Sequence, residues 1–115
     1  RVARAWVPYD VLDPNALAEG YICLSTAAFS RLWKICSECG MTVVADIHTH
    51  PNGTRQSCSD RLNPMISQLG HIALIAPRYA RGNLMPIDLS VNVYLGDKKW
   101  SSFCGQDAQR RIHLV

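Results

Sequence analysis

Hydrophobic positions recur at helical spacing in one stretch of this chain and gather into short runs in several others. Phe29, Leu32, Trp33 and Cys36 share one face of a 3.6-residue period. Ser25 or Thr26 stands ready to cap that face and Gly40 to stop it, which predicts a helix running to about Cys39. Met41 to His48 is rich in β-branched and apolar residues and predicts a buried strand. A second buried strand is expected over Ile72 to Ala76, ended by Pro77. Ser90 to Leu95 and Trp100 to Cys104 predict a hairpin around Gly96-Asp97. Arg81-Gly82-Asn83 marks a turn.

Weaker patterns fill the remainder. Arg1 to Pro8 suggests a strand, Tyr9 to Gly20 a loop around Asp13-Pro14-Asn15, and Tyr21 to Leu24 a short extended piece. Ser57 or Ser59 starts a short helix toward Gln68, with Pro64 tolerated near its first turn. Arg111 to Val115 reads as a last edge strand. Helices and strands thus mix without a strict βαβ repeat, predicting an α/β domain with a central mixed sheet flanked by helices. At 115 residues the chain makes one domain.

Composition narrows the class. With 48% hydrophobic and 18% charged residues and a mean hydropathy near zero, the chain reads as globular and soluble. No apolar run approaches the ~20 residues that cross a bilayer, and no secretory signal pattern appears. A net charge of +3 without a dense basic block argues against nucleic acid as partner. Five cysteines, an odd count, point to reduced thiols and a cytoplasmic setting. Cys36 and Cys39 form a lone C-x-x-C, read as ordinary buried or half-buried thiols because no second pair completes a zinc site. Cys58 reads as a tolerated small residue.

The chemistry concentrates between Asp46 and Asp60. Alternate side chains on a strand share a face, so His48 and His50 project their imidazoles the same way. Pro51 and Asn52-Gly53 then turn the chain, bringing Asp60 back toward them. Two imidazoles and a carboxylate suit zinc and leave a fourth position for water. Ser57-x-x-Asp60 also reads as a helix start, with serine capping and an acidic first turn. Asp46 falls on the face of His48 and His50. It is read first as pairing with an arginine or with backbone, and second as a carboxylate that orients His48. His71 is expected to be structural, and His113 carries no motif.

The order H-T-H-P, a Gly-containing loop and S-x-x-D resembles the JAMM (MPN-plus) metalloprotease motif. His48, Thr49, His50, Pro51, Ser57 and Asp60 take the matching places, although the loop is one residue shorter than is usual there. Arg61 to Ala76 and Val91 to Trp100 are similar to bacterial JAB-domain proteins that accompany ubiquitin-activating-like and ubiquitin-conjugating-like enzymes, some in antiphage operons. The resemblance implies the JAMM fold, with Zn2+ on His48, His50 and Asp60 activating water against a peptide or isopeptide carbonyl. Ser57 would stabilise the tetrahedral intermediate, and the substrate would be a ubiquitin-like protein or its conjugate. It also implies a glutamate that takes the water's proton. Only Glu19 and Glu38 are available, and neither has the strand context that this role requires. The expectation is that a missing N-terminal piece carries that glutamate. The competing readings are a non-catalytic MPN-like scaffold, a small-molecule amide hydrolase with the same zinc site, and, more distantly, a DNA-linked protein sharing H-T-H-P.

Overall fold

A computed structural model describes all 115 residues, which divide into two units, Arg1–Val44 and Ala45–Val115. The first unit holds two helices, α1 (Tyr9–Leu12) and α2 (Thr26–Cys39). α2 begins where Ser25 Oγ accepts from the Ala28 N–H at 3.2 Å. It ends at Gly40, whose φ of 62° is the left-handed geometry that a residue with a side chain resists. Leu12, Ala16, Leu24, Ala28 and Leu32 form this unit's apolar core. Of the anticipated helix face, Leu32 is buried and Phe29 and Cys36 half-buried, but Trp33 is exposed. Asp13 ties the end of α1 to the start of α2. Its carboxylate accepts from the Ser25 and Asn15 N–H groups at 3.0 Å each, and Arg31 donates to the Leu12 carbonyl.

The second unit is built on a four-stranded sheet in the order β1 (Ala45–Thr49), β2 (Ile72–Ala76), β3 (Ser90–Gly96), β4 (Lys99–Phe103). β1 and β2 run parallel and the other pairs antiparallel, so the expected mixed sheet is present. The helices of this unit are short: α3 (Cys58–Leu62) lies between β1 and β2, and α4 (Gln106–Gln109), which the sequence pattern did not suggest, follows β4. The hairpin forms as read. Asp97 and Lys98 both take positive φ (49° and 57°), the geometry that matches the twist of two adjoining strands. Tyr94 and Trp100 face each other across it, with ring centroids 5.0 Å apart.

Several expected elements differ. Neither Arg1 to Pro8 nor Tyr21 to Leu24 forms a strand, and Tyr9 to Gly20 contains α1. Arg111 to Val115 also stays outside the sheet. Propensity gives no strand unless a neighbour supplies the ladder. The strand read from Met41 starts only at Ala45 and lies at the sheet edge, which leaves Ile47 53% exposed rather than buried. α3 stops at Leu62 instead of running toward Gln68. Pro64 disfavours helical backbone at the residue before it, and Asn63 has turned out to φ −124° and ψ 65°. No helix is long and apolar enough to cross a membrane.

Candidate metal centre

The site grows out of the parallel pair. β1 places Asp46 and His48 on one face, in register with Ala73 and Ile75 of β2. His50 lies one residue past β1, but its N–H still donates to the Ala76 carbonyl at 2.9 Å, so the second imidazole inherits the strand's alternation. Pro51 has no N–H with which to continue. On this face Ala73, Ile75, Ser90, Asn92 and Tyr94 are all buried, so the histidines stand at the margin of a packed surface.

Polar anchors hold the turn after Pro51. The Tyr79 N–H donates to the His50 carbonyl (2.9 Å) and the Arg78 N–H to that of Asn52 (3.3 Å). Arg78, Tyr79 and Ala80 all take positive φ, at 53°, 53° and 58°. That conformation costs roughly 1–2 kcal/mol per residue for side chains with a Cβ. The strained turn is thus bonded to the backbone of the candidate ligand loop. From the other side, Ser90 Oγ donates to the Thr54 carbonyl (2.8 Å), and Asn92 Nδ2 donates to Ser90 Oγ (2.9 Å) and the Ala73 carbonyl (3.1 Å).

Asp60 reaches the histidines through a capping box. Ser57 Oγ accepts from the Asp60 N–H (3.1 Å), while Asp60 Oδ2 accepts from the Ser57 N–H (2.6 Å). The expected cap therefore forms, and the same geometry turns the Asp60 carboxylate toward the two imidazoles. Trp100 Nε1 secures the far end of α3, donating to the Arg61 carbonyl at 3.1 Å.

The three side chains meet at Nε2 of His48, Nε2 of His50 and the Asp60 carboxylate. The two nitrogens are 3.2 Å apart; Asp60 Oδ2 is 3.1 Å from His50 and Oδ1 is 3.5 Å from His48. Ligands ~2.05 Å from a tetrahedral ion are separated by about 3.3 Å, so these spacings suit a small divalent cation. His48, His50 and Asp60 form a group whose ligand atoms lie close enough together that it could hold a metal ion. Cys36 and Cys39 join no such group, and all five cysteines are free, with Cys36 half-buried and the others, Cys58 included, exposed.

Without a metal, the two carboxylates favour a proton on His48. Burial opposes charge on His48, but the Asp46 and Asp60 carboxylates outweigh it and push its pKa up to about 9. Burial also opposes ionisation of Asp60, yet His48 and the Ser57 N–H and hydroxyl hold its carboxyl well below the usual range. Asp46 lies 3.8 Å from His48 Nδ1 and makes a 2.7 Å contact with His71 Nε2. Its partners thus include a histidine, and His71 belongs to the site's surroundings. Sequence reading missed that link, together with Ser90, Asn92, Tyr79 and Trp100. The sheet register, which brings residues about 25 apart together, is the signal that would have found His71. No protein-family model matches the chain.

Proposed function

We propose that the chain is a zinc-dependent hydrolase of the JAMM type, cleaving peptide or isopeptide bonds of ubiquitin-like proteins. The observation that carries this reading is the convergence of His48, His50 and Asp60 at near-tetrahedral spacing, produced by an H-x-H strand end and an S-x-x-D helix cap. Two imidazole nitrogens and one carboxylate suit zinc and leave a coordination position for water or substrate. Zinc bound there would supply Lewis acidity and an acidified water.

The chain's own residues would do the rest. His48 and His50 enter the reaction neutral, each offering Nε2. Asp60 completes the site and is fixed by the Ser57 N–H. The Ser57 oxygen accepts from the Asp60 N–H, and its O–H, which interacts with the Asp60 carboxylate in the metal-free chain, would turn to donate to the oxyanion of a tetrahedral intermediate. In this reading the sheet unit belongs to the JAMM/MPN fold, and ubiquitin-activating-like and ubiquitin-conjugating-like proteins are its functional neighbours.

One observation favours a second reading. Residues 45–115 contain no glutamate, so the proton acceptor that the resemblance assigns is not filled within the site-bearing unit. A metal-binding but non-catalytic scaffold would need none. Cleavage of a ubiquitin-like fusion by the zinc-loaded chain separates the two. The enzyme reading expects scission that His50→Ala abolishes. Zinc binding without cleavage of peptide-linked or isopeptide-linked substrates would favour the scaffold.

A further inference from the structure

We infer that Asp46 and His71 act together as a positioning pair for the His48 ligand. The inference rests on the metal-centre reading above and adds two residues to it. His48 presents Nε2 to the cluster, so Nδ1 must carry the proton when Nε2 binds a metal. That Nδ1 is buried and has no hydrogen-bond partner. The carboxylate oxygen that faces it is Asp46 Oδ2, at 3.8 Å, too long for a hydrogen bond. The other oxygen, Oδ1, is held by His71 Nε2 at 2.7 Å.

The Asp46 and His71 side chains are only 6% and 3% exposed. Sinking a carboxylate this far is costly without partners, and an apolar residue would fill the space beside Ala73 at less expense. What the carboxylate offers is a fixed acceptor next to an unsatisfied imidazole N–H. A shift of about 1 Å in the His48 ring closes the gap to hydrogen-bond distance. Asp46 would then accept from both histidines, with His71 locking its rotation and His48 held in the Nδ1–H tautomer. His71 touches no ligand position and acts only through Asp46.

Zinc affinity measured by chelator competition, alongside the visible spectrum of the Co2+-substituted protein, tests the pair. Asp46→Asn and His71→Leu should each weaken zinc by about 10- to 100-fold, the usual effect of losing a group that orients a ligand. Both should also alter the Co2+ absorption bands. His71→Gln, which keeps an N–H donor, should restore most of the affinity. Asp46→Asn and His71→Leu with affinities within about twofold of the parent and unchanged Co2+ spectra would overturn the proposal, even if both unfold more easily. Should Asp46→Asn fail to fold, the two His71 variants decide: equal affinities reject the pair, and Gln above Leu supports it. A parent chain that binds no zinc rejects the metal centre and the pair together.

Discussion

Asp60 uses one carboxylate for two tasks, accepting from the Ser57 N–H to close a helix cap and facing the two imidazoles. Ser57→Ala removes the hydroxyl that accepts from the Asp60 N–H. It should cost about 1 kcal/mol in urea unfolding and weaken zinc several-fold, because the helix start that carries the carboxylate loses half of its capping box. An unchanged unfolding midpoint would show that the cap contributes nothing in solution. His48 sets the pH dependence. Its folded-state pKa is raised from 6.5 to about 9. In the metal-free chain, its contribution to stability is therefore complete below 6.5 and disappears as pH rises through about 9. Asp60 has the opposite sign: its contribution holds above its ordinary value of 3.8 and is lost as pH falls below it. Zinc bound as proposed would compete with the His48 proton, so apparent affinity should rise about tenfold per pH unit up to about 9 and then level. Chelator competition at three pH values checks this, and a flat profile contradicts it.

Among the elements that the site depends on, α3 is the least able to stand alone. A five-residue helix has too few hydrogen bonds to offset its nucleation. It persists because the capping box closes one end and Trp100 holds the Arg61 carbonyl at the other. Trp100→Phe keeps an aromatic ring against Tyr94 but loses that N–H. The change should cost about 1 kcal/mol and speed amide exchange in α3 more than in β2; uniform exchange would detach Trp100 from this role. α2, β2 and the β3–β4 hairpin were legible because their signals are local: Ser25 and Gly40 at the helix ends, Pro77 after the strand, and a short turn after Gly96. The extent of β1 was not, since Met41 to Val44 carry strand propensity but no ladder. At α3, Pro64 proved a stop because of what it does to Asn63, which a count of helix formers does not register.

Across the whole chain, the candidate ligands were readable and their supports were not. His48, His50, Ser57 and Asp60 lie within a short span, where strand alternation and capping rules apply directly. His71, Ser90 and Asn92 reach the site only through the pairing of β1 with β2 and β2 with β3, which no local pattern encodes. The same division tells where energy is held. The cluster keeps two imidazoles and a carboxylate within 3.1–3.5 Å of one another, an arrangement that a bound cation would stabilise and that, without one, favours a proton on His48. Zinc should therefore raise the thermal midpoint, with the rise continuing logarithmically as free zinc exceeds Kd. The most direct test of the metal centre is zinc content with X-ray absorption at the zinc edge, for the parent chain and for His50→Ala. Close to one zinc per chain is expected, with two imidazoles among four nitrogen or oxygen donors at ~2.0–2.1 Å, and loss of that zinc in the variant. A parent chain without zinc, sulfur donors at the edge, or undiminished zinc in His50→Ala would contradict it.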